Sequence, residues 1–162
     1  MYYVGNVVKS GEKLIKNFMF IGEYQHSIDG KNRMALPAKF RKEFKGKAVI
    51  TRGLDNCLFV YPMKEWQAIA EKLGNMPVGE KTTRSFVRLM LAGAVDVEID
   101  SQGRVLIPDY LKNHAGLEKE TIVAGLFNRL EVWSKNAWEK YKNSAEKDQD
   151  EIADQLGRLG VY

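Results

Sequence analysis

Two short stretches of this chain carry the same reactive pair at the same spacing. Asp29-Gly30-Lys31-Asn32-Arg33 returns as Asp100-Ser101-Gln102-Gly103-Arg104. In each, a carboxylate and a guanidinium flank three turn-prone residues. An apolar stretch closed by a proline follows, Met34-Ala35-Leu36-Pro37 and then Val105-Leu106-Ile107-Pro108. Such a pair has a structural use: the aspartate caps a hairpin and ties down the arginine, and an exposed pair of this kind contributes about 0–1 kcal/mol. The same geometry has a chemical use. A guanidinium aimed outward from a hairpin end presents a planar fork that suits phosphate or the major-groove edge of guanine. The two uses are compatible, with aspartate orienting and arginine contacting.

Other reactive constellations are missing from the sequence. His26 and His114 stand in non-equivalent places, and no His/Cys cluster has metal-ligand spacing. No phosphate loop of the Gly-Lys-Ser/Thr kind and no Gly-x-Gly-x-x-Gly occurs. Cys57 falls in an expected strand and reads as a buried thiol rather than a nucleophile. An enzyme is therefore not expected, nor a metal, a cofactor or a small-molecule substrate. The single cysteine rules out a disulfide within one chain, which fits a reducing cytoplasm. No apolar run approaches the ~20 residues of a membrane helix.

Charge is uneven. The net charge is +4 with a pI near 9.1. Residues 29–47 hold Lys31, Arg33, Lys39, Arg41, Lys42, Lys45 and Lys47 against only Asp29 and Glu43. The matching stretch 100–119 balances three cations with three acids. A solvated helix face would explain lysines, but not their excess in one copy. The first half is the one expected to meet a polyanion.

The elements that position these residues are also written twice. The two motifs lie 71 positions apart, and Gly53 and Trp66 recur at Gly125 and Trp138, 72 positions on. A long period seen twice indicates a tandem duplication, since a solenoid needs at least ~3 repeats. In the first copy, strands are expected at Glu23–Ile28 and Arg33–Leu36, with a short helix from Pro37 to Phe44 that buries Phe40 and Phe44. Strands at Lys47–Arg52 and Cys57–Tyr61 and a helix at Pro62–Leu73 follow, the helix with Trp66, Ile69, Ala70 and Leu73 on one face. A bridging helix over Thr82–Leu91 should turn Phe86, Leu89 and Met90 inward, with Arg84 and Arg88 outward. The second copy repeats the order: strands at Val95–Ile99 and Arg104–Ile107, a helix from Pro108 to about Gly116, and strands at Thr121–Gly125 and Leu130–Trp133. A long helix capped by Ser134 follows. Tyr61, Trp66, Trp133 and Trp138 read as packing anchors. Beyond Ser144 the chain turns acidic, with Ile152, Leu156 and Leu159 at helical spacing for contacts between subunits. Residues 1–18 lack pattern; Met19 is a candidate natural start, and the stretch before it is expected to be an extension or vector-derived, without fixed structure.

Taken together, Met19-Phe20-Ile21-Gly22-Glu23-Tyr24, the two Asp-x-x-x-Arg turns with Leu36-Pro37 and Ile107-Pro108, Ala124-Gly125-Leu126-Phe127-Asn128, Glu131-Val132-Trp133 and Trp138 closely resemble the MraZ family of bacterial transcriptional regulators, in the SpoVT-AbrB superfamily. The resemblance spans about Met19 to Ser144. It implies an α+β fold: a tandem-duplicated AbrB-type swapped-hairpin β-barrel with an intramolecular pseudo-twofold and peripheral helices. The expected division is an extension at 1–18, one repeat at 23–66, a helical linker at 67–93, a second repeat at 94–138, and a C-terminal helix and acidic tail at 139–162. It further implies a ring-shaped homo-oligomer in the cytoplasm and nucleoid. That assembly would bind double-stranded DNA at direct repeats upstream of its own operon, in the division and cell wall cluster, and act mainly as a repressor. By position, the DNA-binding residues are Asp29, Arg33, Asp100 and Arg104, with Lys31, Lys39, Arg41 and Lys42 contacting or steering toward the backbone. The second turn lacks the lysine-rich flank, so Arg104 should contribute less than Arg33. A structural or protein-interaction barrel without sequence-specific DNA binding is the alternative. An RNA-binding role lacks a stacking platform of paired aromatics.

Overall fold

The computed structural model describes residues 18–161. Strand β1 (Phe20–Ser27) and strand β2 (Arg33–Ala35) flank the first turn. A 3-10 turn, Ala38–Phe40, then runs into α1 (Arg41–Phe44). Strands β3 (Lys47–Arg52) and β4 (Leu58–Pro62) form a hairpin, followed by α2 (Met63–Gly74) and α3 (Lys81–Ala92). The order then repeats: β5 (Val95–Glu98), β6 (Arg104–Leu106), α4 (Asp109–His114), β7 (Glu120–Phe127), β8 (Arg129–Ser134) and α5 (Lys135–Lys147), with α6 (Gln149–Arg158) last.

Local chemistry accounts for the boundaries. Pro37, Pro62 and Pro108 each stop an extended stretch and stand immediately before a helical segment. The sequence places them as first helical residues. Their ψ angles of 129°, 148° and 148° keep them extended instead, so the helix begins one residue later. Ser134 caps α5 as expected, its Oγ accepting the N–H of Ala137 at 3.2 Å. Cys57 lies one residue before β4 rather than inside it.

The strands exchange between repeats. The six-stranded antiparallel sheet runs β1-β7-β8-β4-β3-β5. The first strand of each repeat thus pairs with the third strand of the other, β1 with β7 and β5 with β3. The two hairpins meet through β4 and β8. Strands β2 and β6 form a separate two-stranded ribbon. Hydrogen bonds leave the larger sheet open at β1 and β5, so the strand exchange of the expected barrel is present while one continuous closed ladder is not. The ribbon strands are three residues each and pair with one another, leaving the Ile28–Met34 bridge as the link back toward β1.

Apolar alternation from both repeats fills the interior. Met34, Leu36, Phe40 and Phe44 of the first repeat pack with Val105, Ile107, Leu111 and Val123 of the second, all essentially inaccessible. Burying each such side chain stabilises the fold by roughly 1.5–3 kcal/mol, and no repeat could enclose this core alone. Gly125 permits the closest strand approach: a Cβ there would lie 2.6 Å from the backbone nitrogen of Ile21.

A second cluster covers the outer face of the sheet. Phe59, Tyr61 and Trp133 pack with Leu73 and Met90, flanked by Trp66, Phe86, Val87, Leu91 and Trp138. The anchor assignment of Tyr61, Trp66, Trp133 and Trp138 holds. The inward assignment of Leu89 does not: it is 53% exposed. The inward face of α3 follows Phe86, Val87, Met90 and Leu91, and Leu89 falls about 100° from Met90 around the axis. Arg84 and Arg88 stay on the outer side of α3, Arg84 donating to the surface-loop carbonyls of Val78 and Gly79 at 2.8 Å each. The expectation for residues 1–18 falls outside the described residues except at Phe18, whose ring stands edge-on to Phe20 at 5.2 Å.

Candidate nucleic-acid interface

Each turn is built by its aspartate. Asp29 Oδ1 accepts the backbone N–H groups of Lys31 and Arg33, both at 2.9 Å. Oδ2 accepts from Arg33 Nε at 2.8 Å and sits 2.7 Å from Arg33 Nη2. The main chain closes the loop, with Asp29 N donating to Arg33 O at 2.9 Å and Asn32 N to Asp29 O at 3.0 Å. The second turn repeats these contacts. Asp100 Oδ1 accepts from the N–H groups of Gln102 and Arg104, and Oδ2 from Arg104 Nε at 2.8 Å. Aspartate suits this place because its short side chain reaches its own downstream N–H groups.

These donors shift the carboxylates. The Arg33 backbone N–H, followed by the Arg33 guanidinium, holds Asp29 down to about 2. Asp100 is lowered too, the Arg104 backbone N–H being the largest cause. Both carboxylates are therefore charged at neutral pH and fix their arginines. The arginine side chains keep 33% and 26% of their surface open, and among the described residues Arg33 Nη1 makes no hydrogen bond.

The turns are neighbours. In the ribbon, Arg33 faces Leu106 and Ala35 faces Arg104. Leu36 N donates to Gly103 O and Ile107 N to Asn32 O, both at 2.9 Å. Arg104 Nη1 comes within 3.9 Å of Asp29 Oδ2. Two motifs 71 residues apart thus form one double-headed surface.

The flanking cations divide into two kinds. Lys31 and Lys42 are exposed, and Lys39 Nζ lies over the rings of Tyr24 and Phe40 at 5.1 and 4.9 Å. Arg41 is engaged internally. Its Nε donates to Leu36 O at 2.9 Å, and its guanidinium covers Gly103, where a Cβ would stand 2.2 Å from Nε. Gly103 has φ +78°, so glycine is favoured there on both counts.

The other reactive residues stay apart from this surface. Burial, reinforced by the Glu131 and Asp55 carboxylates, pushes the Cys57 thiol far up, and its Sγ lies 2.9 Å from Leu54 O. Burial and then the Arg41 charge lower His26. Among the described residues, no group of three His, Cys, Asp or Glu side chains is placed to hold a metal ion, and no helix is long and apolar enough to cross a membrane.

The family described as "MraZ protein, putative antitoxin-like" matches this chain twice in tandem, over residues 19–89 and 90–158. The chain belongs to the MraZ family. It is 49% identical over 143 residues to a Transcriptional regulator MraZ of Caldanaerobacter subterraneus subsp. tengcongensis, covering 88% of this chain and 100% of that one. Proteins of the same name from a Thermoanaerobacter species and from Clostridium tetani are 50% and 46% identical, with the same coverage.

Within this MraZ-family chain, sequence reasoning missed three residues at the site. Asn32 Nδ2 donates to Asp109 Oδ1 at 2.6 Å, and Lys112 Nζ donates to Asn32 Oδ1 at 2.9 Å. A signal existed: Lys112 lies 71 positions after Arg41, just as Gly103 lies 71 after Asn32. The repeat offset alone pairs each short helix with the other repeat's turn once strand exchange is assumed.

Proposed function

We propose that this chain is a DNA-binding transcriptional regulator that grips double-stranded DNA through its paired Asp-x-x-x-Arg turns. The observation that carries this reading is the joined pair of turns, each holding a partly open guanidinium on a carboxylate that is itself tied to the turn's backbone, in a chain whose relatives are named transcriptional regulators. Arg33 reaches base edges or phosphates, and Asp29 orients it. Lys31, Lys39 and Lys42 steer toward the backbone. Arg104, oriented by Asp100, adds a second grip with fewer cations around it. Arg41 supports the surface from beneath, its Nε on Leu36 O and its guanidinium laid against Gly103.

In this reading the exchanged-strand sheet and the ribbon together act as the AbrB-type barrel, with repeats at 23–66 and 94–138, a linker at 67–93 and the helix and tail at 139–162. One such unit makes few contacts. Assembly into a ring aligns several copies along direct repeats upstream of the chain's own operon, and linked sites can gain on the order of 10² to 10⁴ in avidity. Occupying that DNA represses transcription.

Fluorescence anisotropy tests the proposal. A labelled duplex of the region upstream of the gene is titrated with the wild type and Arg33→Ala, beside a scrambled duplex. Discrimination by the wild type and its loss in the variant, with unchanged size by light scattering, is the expected result. Equal binding to both duplexes would instead favour an interaction barrel without sequence reading.

A further inference from the structure

Asn32 of the first turn is clasped by two side chains of the opposite repeat, and the residue at the matching place in the second turn is not. Asn32 engages both ends of its amide across the repeat boundary, donating to Asp109 Oδ1 at 2.6 Å and accepting from Lys112 Nζ at 2.9 Å. Its backbone is engaged as well, with N donating to Asp29 O at 3.0 Å and O accepting from Ile107 N at 2.9 Å. Asp109 and Lys112 lie one turn apart on α4, which is anchored by the fully buried Leu111. At the matching position the second turn has Gly103, with no side chain to offer; Arg41 simply lies over it.

The turn geometry alone does not account for Asn32. Its φ is +58° and that of Gly103 is +78°, so both turns need a left-handed residue there, and glycine meets that need at lower cost. A residue kept only for the turn would gain nothing from an amide clasped between an anion and a cation. The clasp sits next to Arg33, inside the turn with the larger excess of positive charge. Holding a contact group in its bound direction beforehand removes part of the ordering cost of binding.

We propose that Asn32, clasped by Asp109 and Lys112, is a positioning residue that fixes the direction of the Arg33 guanidinium and thereby raises affinity for DNA without touching it. The second half of this statement rests on the DNA-binding reading above; the first half does not.

The test uses the full chain carrying Asn32→Gly, which keeps the left-handed backbone and deletes only the clasp, and Lys112→Met, which breaks it from the other side. Two quantities are read: order of the Arg33 side-chain Nε–H by nitrogen-15 NMR relaxation, and affinity for the upstream duplex over a salt series. Both variants should stay folded and of wild-type size, with lower Arg33 Nε order and affinity reduced about three- to tenfold. Their log–log salt slopes should equal the wild type, since no phosphate contact is removed. The double variant should bind no more weakly than either single one. Wild-type Arg33 order in Asn32→Gly overturns the proposal, whatever happens to DNA binding. A slope in Lys112→Met shallower by about 0.9 also overturns it, because Lys112 would then contact phosphate directly. Should Asn32→Gly fail to fold, Lys112→Met and Asp109→Ala carry the same two readings. If Arg33→Ala binds the upstream duplex like the wild type, the DNA-binding reading fails, and the Nε order measurement still decides the clasp.

Discussion

Arg104 of the second turn reaches Asp29 of the first, Nη1 to Oδ2 at 3.9 Å, while Asp29 also holds Arg33 at 2.7 Å. Asp29 is thus shared by both arginines, and among the described residues Asp100 pairs with its own arginine alone. The near-symmetric surface has an asymmetric hub.

Asp29→Ala should therefore be more damaging than Asp100→Ala. It frees Arg33, withdraws a neighbour from Arg104, and strands the N–H groups of Lys31 and Arg33. Affinity for the upstream duplex should fall about tenfold or more for Asp29→Ala and by a smaller factor for Asp100→Ala. Anisotropy on the two variants side by side reads the difference; equal losses would contradict the hub.

The pH dependence has a definite sign. Asp29 is depressed to about 2 in the fold, against about 3.9 for a free aspartate. A depressed carboxylate stabilises the folded form at pH values above its unfolded pKa and loses that contribution as pH falls through its folded pKa. The stability gap between wild type and Asp29→Asn should thus be constant above pH of about 4 and shrink toward pH of about 2. Denaturant titrations across this range measure it, and carboxyl carbon-13 shifts should place the Asp29 midpoint near 2.

Adjacent cations on α1 should separate structure from binding. Lys42 is exposed, so Lys42→Ala should leave thermal stability unchanged and make the salt slope shallower by about 0.9 if it meets one phosphate. Arg41→Ala removes the bond to Leu36 O and the cover over Gly103, and should cost about 1–2 kcal/mol in stability. Calorimetry and salt-series titrations on both variants check the contrast.

Gly125→Ala should pry β1 from β7. The added methyl would meet backbone at 2.6 Å from Ile21 N, and a paired strand cannot step aside as a flexible side chain can. Overpacking of this kind costs about 1–3 kcal/mol. Amide exchange should show the loss first at residues 20–23 and 124–127, which lie opposite one another in the ladder.

Much of the site was legible in the sequence because it is local. Asp29 and Arg33 are four residues apart, and the bonds from the aspartate that shape the turn run between neighbours in the chain. The cap at Ser134 and the face of α2 are legible for the same reason, since they follow from bonds and periodicity within one helix. The inward face of α3 was harder to read. Four apolar residues crowd positions 86–90, and only contact with Tyr61 and Trp133 selects which of them turn in.

By itself, then, the chain's order of residues determined two copies of a carboxylate-held arginine and the concentration of positive charge around the first. These depend on contacts spanning a few residues, whose geometry the backbone enforces. Tertiary structure decided that the copies stand side by side, that Arg41 faces inward, and that Asn32 is clasped from a helix 77 positions away. Those outcomes follow from the exchange of β1 and β5 between repeats, because neither half can bury its apolar face without the other's strand.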